Sequence, residues 1–218
     1  MTVVFDPNWS RERSVRVGRD ISFAWLTLNG FRLPNHVFLD ITSANAWRQS
    51  TKGEDLILSA WSGVHLSEGG VTAIAVNLEN CHRLSKFRMF GNGPFIVQAA
   101  GSFEDYTPVG VFCHEVGHHV DRALAVRGYS RGCGVFLSLV EEEGEVSRFE
   151  YNIQESFAEA IRLFITNPDL LRVGRPQRWD FLTKVLRLKP LHTTPWRRVL
   201  SRSAKAVRAS VPTWMEDE

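Results

Sequence analysis

Apolar residues recur at near-helical spacing at Val15, Val17, Ile21, Ala24, Trp25 and Leu28, which predicts a helix over residues 14–28. Asn29-Gly30 follows as a stop signal. The pattern then shortens. Residues 36–41, 56–60 and 71–77 are brief apolar runs bounded by Gly or polar residues, and each predicts a strand. Residues 94–100 are a further strand candidate. Beyond Gly101 helical spacing returns. Thr107-Pro108 sets a capping residue before a proline at the first helical position, opening a helix over 109–126 that Gly128 stops. Residues 135–140 form a short apolar segment, helical or irregular. Residues 141–145, Glu-Glu-Glu-Gly-Glu, read as an exposed acidic loop. Asn152 opens a helix that runs to Thr166 and ends at Asn167-Pro168. Its residues Ile153, Phe157, Ile161, Phe164 and Ile165 share one face, which should point to the core. Two more helices are expected over 177–188 and 195–208, the second opened by Thr194-Pro195. A helix and a small sheet followed by helices make an α+β fold.

Composition changes this picture little. The 218 residues are 44% hydrophobic and 23% charged, which excludes disordered, collagen-like and coiled-coil classes. The three cysteines, Cys81, Cys113 and Cys133, form no C-x-x-C pair and read as reduced thiols of a cytoplasmic chain. The start lacks a basic then apolar leader, and no apolar run approaches about 18 residues, so neither a signal peptide nor a membrane span is expected.

Charge changes it more. The formal net charge is only +2. Residues 1–171 hold 15 Lys/Arg against 20 Asp/Glu, whereas residues 172–218 hold 11 against 4. The stretch 172–208 is therefore basic. It is a patch for nucleic acid or another polyanion, a solvated helical face, or a face docked on the acidic body.

The chemistry concentrates in His114-Glu115-Val116-Gly117-His118, an H-E-x-x-H string on the expected 109–126 helix. Histidines four apart lie one turn apart on one face and can ligate one zinc ion. The carboxylate beside the first histidine can reach a water that the metal activates, without being a ligand itself. Asp121 follows on the same face and could hold a ligand imidazole. A third ligand is needed, and the 152–166 helix offers Glu155 and Glu159, also four apart. One can bind the metal while the other orients a histidine. The plainer alternative has Glu155 closing a capping box with Asn152 and Glu159 on the surface. His119 lies about 140° around the helix from His114 and reads as a surface or packing residue. Cys113 reads as buried. His36, His65, His82 and His192 show no site spacing.

His114-Glu115-Val116-Gly117-His118-His119-Val120-Asp121, followed by residues 152–160, Asn-Ile-Gln-Glu-Ser-Phe-Ala-Glu-Ala, resembles the zincin core of the anthrax lethal factor and Pro-Pro endopeptidase group. That group carries H-E-x-G-H-x-x-D and a later N-x-x-E-x-F-A-E-A, and similar small domains occur in phages and mobile elements. The resemblance covers about residues 108–170. It implies a zincin-like α+β fold, with a small mixed sheet, an active-site helix and a second ligand-bearing helix. It implies His114, His118 and Glu155 as zinc ligands and Glu115 as general base. It also implies an edge strand that aligns an extended peptide, for which residues 71–77 are the candidate. The group usually has a tyrosine seven residues before the third ligand. Arg148 stands there in this chain, and Tyr151 is the nearest tyrosine, so either is the candidate oxyanion donor. The expected organisation is a catalytic domain over 1–171 and a basic helical extension over 172–218. The expected activity is zinc-dependent hydrolysis of a protein or peptide. The alternative is a weak or inactive scaffold that binds nucleic acid or protein through its basic segment. A serine or cysteine hydrolase is disfavoured, since no base can be placed for Cys113 or Cys133.

Overall fold

The structure, a computed structural model, describes residues 4–5, 13–38, 44, 46, 63–68, 71–78, 81, 96–98, 102–105, 108–126, 134–145, 147, 150 and 152–191. Its strands are β1 (Val4–Phe5), β2 (His36–Phe38), β3 (Gly63–Glu68), β4 (Val71–Val76), β5 (Ile96–Gln98) and β6 (Ser102–Glu104). Its helices are α1 (Arg13–Leu28), α2 (Pro108–Val126), α3 (Gly134–Glu143), α4 (Ile153–Thr166), α5 (Pro168–Gly174) and α6 (Pro176–Asp180). A π-helical turn, Phe181–Val185, continues α6. The architecture is a helix-dominated α+β fold. Among the described residues no helix is long and apolar enough to cross a membrane.

The main sheet is mixed, in the order β1-β2-β4-β3. β1 pairs parallel to β2, β2 parallel to β4, and β3 antiparallel to β4. β5 and β6 form a separate antiparallel pair. This order corrects one expectation. Residues 71–77 do not supply an edge: β4 is paired on both sides, and among the described residues β3 is the terminal strand. The physical reason is in the residues. Ala73, Ile74, Ala75 and Val76 are all fully buried, as a continuous apolar run is when both faces of a strand are covered. β3 instead alternates polar and apolar residues, Val64-His65-Leu66-Ser67, as a terminal strand does. Gly69-Gly70 is the only sequence between β3 and β4, a link length that hairpins favour.

α2 is the centre of the molecule. It packs against α1, α4, β3 and β4. Trp25 of α1 is fully buried, stacks on Phe31 and meets Phe164 of α4 edge-on. Its indole N–H donates to the Lys189 carbonyl at 3.0 Å. Of the face expected on the 152–166 helix, Phe157, Ile161, Phe164 and Ile165 are buried and Ile153 is half-buried, while in α1 Ile21 and Trp25 are buried and Leu28 is exposed. α4 goes further: all ten residues from Ser156 to Ile165 are buried.

Three other expectations change. The acidic run is not simply a loop. Glu141, Glu142 and Glu143 form the last turn of α3, and Gly144, at φ 74, ends the helix. Glu143 then accepts from the backbone N–H groups of Gln177 and Arg178, which would otherwise be orphans at the start of α6. Pro168 both stops α4 and opens α5, with Asn167 accepting from the Leu170 amide at 3.2 Å. The helix expected over 177–188 is α6 plus the π-turn, and it stops before Leu188.

Residues 172–191 are built into the same core through Phe181, Leu182 and Leu188. Arg178 is fully buried and donates to Glu150 at 2.9 Å and to the Gly144 carbonyl. Residues 56–60, most of the 94–100 strand candidate and the expected 195–208 helix lie outside the described residues.

Candidate metal centre

α2 presents His114 and His118 on one face, and α4 presents Glu155 opposite them. The two helices can approach because Gly117 has no side chain. A Cβ there would lie 2.5 Å from the Ala158 Cα and 2.8 Å from its carbonyl oxygen. The N-terminus of α4 is set by Asn152, whose side chain accepts from the Glu155 amide at 3.0 Å. The capping contact and the site role therefore coexist in Glu155: its backbone is capped while its carboxylate points at the histidines.

One ligand atom each from His114, His118 and Glu155 lie within 4.8 Å of one another. His114 Nε2 is 3.0 Å from Glu155 Oε2 and 3.2 Å from His118 Nε2. His118 Nε2 is 3.4 Å from Glu155 Oε1. The other nitrogen of His114 is held from behind: Nδ1 is 2.7 Å from Glu159 Oε1. A proton on Nδ1 directed to Glu159 leaves the Nε2 lone pair for a cation. Of the two alternatives for Glu155 and Glu159, the structure aims Glu155 at the site and sets Glu159 behind His114. Glu159, only 2% exposed, is gripped by Arg162, whose Nε and Nη2 donate to its two oxygens at 2.9 and 2.7 Å.

Glu115 is 5% exposed. Burial raises its pKa, while the charges of His118 and His114 and the backbone amide of His65 act in the opposite direction. A Cβ on Gly63 would come 2.6 Å from Glu115 Oε1, so only glycine lets β3 lie this close to the carboxylate. His119 is buried rather than on the surface. Its Nε2 donates to the Arg32 carbonyl at 2.7 Å, and its Nδ1 is 3.3 Å from His65 Nε2. His65 and His119 thus join β3 to α2 beside Glu115. Cys113 is fully buried against the Ser22 hydroxyl, and burial pushes its thiol up to about 12, far from a metal-binding thiolate. Asp121 is half-buried three residues past His118. Arg148 and Tyr151 lie outside the described residues, and their neighbour Glu150 is buried against Arg178.

The donor set suits a divalent cation. Two imidazoles and one carboxylate are zinc ligands by type. The charges agree. Glu115, Glu155 and Glu159 are three buried or half-buried carboxylates, and Arg162 pairs with one of them. Two negative charges remain for a cation to offset.

Without a cation the proton takes that role. Burial pulls the His114 pKa down, but hydrogen bonds to Glu155 and Glu159 outweigh it and push the value up to about 10. The same contacts hold Glu155 down near 2 against its own burial. The folded state therefore binds the His114 proton more tightly than the unfolded chain, where the group titrates near 6.5. That contribution to stability is complete below pH 6.5 and lost as pH rises through about 10. Chelator-treated protein is expected to lose Tm across this window, and zinc-loaded protein to keep it. Equal pH profiles for the two forms would contradict the arrangement.

No protein-family model matches the chain, no curated protein matches it in sequence, and no solved structure matches it.

Proposed function

We propose that the chain is a zinc-dependent metalloendopeptidase with a zincin-like fold. The observation that carries this reading is the convergence of His114, His118 and Glu155 from two helices, with a fourth residue, the non-ligand Glu115, buried beside them. When bound, zinc supplies Lewis acidity, acidifying a water and polarising a carbonyl. The remaining work falls to the chain. Glu115 accepts the water proton and returns it to the leaving amine. Its raised pKa brings it nearer to the working pH of a general acid–base group. Glu159 holds the His114 ring in the tautomer that leaves Nε2 free. β3, the terminal strand of the sheet, accepts an extended peptide as an added strand, a backbone contact that suits peptides rather than other acyl compounds. The contacts of Gly63 and His65 with α2 keep that strand at Glu115. Arg148 or Tyr151 supplies the oxyanion donor in this reading.

The nucleic-acid reading draws less support. Of the basic residues between 172 and 191, Arg178 is spent inside the protein, Arg172 pairs with Asp169 at 3.3 Å, and Lys184 pairs with Asp180 at 2.7 Å.

Metal analysis of the purified chain tests the centre. The expected result is one zinc per chain, lost in both His114→Ala and Glu155→Ala. Zinc retained by Glu155→Ala would move the third ligand elsewhere.

A further inference from the structure

We propose that Arg162 is a positioning residue of the metal centre, and that it acts on His114 through Glu159. The proposal rests on the metal reading above. Neither the H-E-x-x-H string nor its ligand requirement calls for a buried arginine here. Yet Arg162 is 3% exposed, one turn beyond Glu159 on α4, with its guanidinium turned inward.

The geometry is specific. Glu159 Oε1 is shared between Arg162 Nε at 2.9 Å and His114 Nδ1 at 2.7 Å. Glu159 Oε2 is taken by Arg162 Nη2 at 2.7 Å. A guanidinium fork occupying both oxygens fixes the plane of the carboxylate. The plane of the carboxylate in turn fixes where the imidazole N–H points. Without the fork, Glu159 could rotate, and its hydrogen bond would no longer hold the His114 ring at the angle that aims Nε2 toward His118 and Glu155.

Stability alone does not account for this pair. Burying an ion pair commonly costs as much as it returns, and apolar replacements of similar size are often neutral or stabilising. A buried pair that also grips a histidine of the site has a second reason to be there. The charge supports the same view. With Arg162 offsetting Glu159, the two remaining carboxylates match one divalent cation. Removing the guanidinium leaves Glu159 buried and paired only with His114.

The test is a double-mutant cycle on the full chain, read as zinc affinity by competition with a chelator of known strength. Glu159→Gln and Arg162→Met are each expected to weaken zinc binding by about 10–100-fold. The combined Glu159→Gln/Arg162→Met variant is expected to lie within about 2-fold of Glu159→Gln alone, because the path from Arg162 to His114 runs through the Glu159 carboxylate. Arg162→Lys, which keeps the charge but loses the fork, should fall between wild type and Arg162→Met. The visible absorption of the cobalt-substituted protein should shift in Arg162→Met, reporting a changed ligand angle. The double variant removes both charges of the Arg162–Glu159 pair together, so it keeps the cycle readable if Arg162→Met alone unfolds. Wild-type zinc affinity in Arg162→Met would overturn the proposal, as would a double variant whose loss equals the product of the two single losses. Absence of zinc from the wild-type chain would overturn the metal reading itself, and this proposal with it.

Discussion

Glu115→Gln is expected to keep the fold and the full zinc content while lowering peptide turnover by about 10²–10⁴-fold. The two halves of that result have separate causes. Glutamine has the shape of glutamate, so the narrow space against Gly63 and Val111 stays filled. Glu115 is buried and its pKa is already raised by that burial, so a neutral amide relieves desolvation and should not lower Tm. Glu115 is also not among the converging ligand atoms, so the metal should remain. What the amide lacks is the ability to take a proton. The measurement is kcat on a peptide library, alongside metal content and thermal melting. Turnover unchanged in this variant, with contaminating peptidases excluded, would sink the general-base role. Lost zinc would instead make Glu115 a ligand.

Gly117→Ala is expected to weaken zinc binding by at least about 10-fold and to lower stability by about 1–3 kcal/mol, the usual cost of overpacking. In an exposed helix this change would stabilise, by about 1 kcal/mol. Here the new methyl would sit 2.5 Å from a backbone Cα of α4, and a backbone cannot turn aside as a side chain can. The helices must part, and parting them draws His114 and His118 away from Glu155. Ala158→Gly is not expected to rescue the variant, because the closest atoms are the Cα and carbonyl oxygen rather than the Ala158 methyl. Unchanged zinc affinity in Gly117→Ala would mean that the ligand set does not depend on this contact. Rescue by Ala158→Gly would place the conflict at the methyl instead.

The metal triad was legible because helical periodicity turns spacing into geometry. Histidines four apart, and carboxylates four apart on a second helix, can face each other in few ways. Helical spacing by itself left Glu155 and Glu159 open; the resemblance implied Glu155, whose carboxylate does face the histidines once Asn152 sets the helix start. Arg162 was hidden for a different reason. A Glu and an Arg three apart on a helix look like any surface ion pair, and nothing local says the pair is buried. Gly117 looked like a neutral position inside a motif, because its meaning lies in Ala158 of another helix. The edge strand was misassigned. The resemblance implied an edge strand with residues 71–77 as the candidate, but the continuous apolar run in that segment is the pattern of an interior strand covered on both faces. Among the described residues the terminal strand is β3, which His65 and Ser67 dilute and which pairs with β4 across Gly69-Gly70. Glu143 shows the limit for polar runs, since an acid that looks solvated caps a helix more than thirty residues along.

The burial of α4 on every side has a consequence for how the centre moves. A helix enclosed all round cannot tilt or slide without opening voids on one flank and clashes on the other, and close-packed interiors resist both. Ser156 to Ile165 have no solvent face on which such a displacement could be taken up. The helical half of the centre is therefore rigid before anything binds, and the ordering cost that flexible sites incur on capture is already met in folding. Adaptation to substrates of different shape must come from the opposite wall, where β3 is held to α2 by a pair of imidazoles and a glycine contact. Substrate range in this protein should accordingly track residues flanking 63–68 far more than any residue of the helix that carries the third ligand.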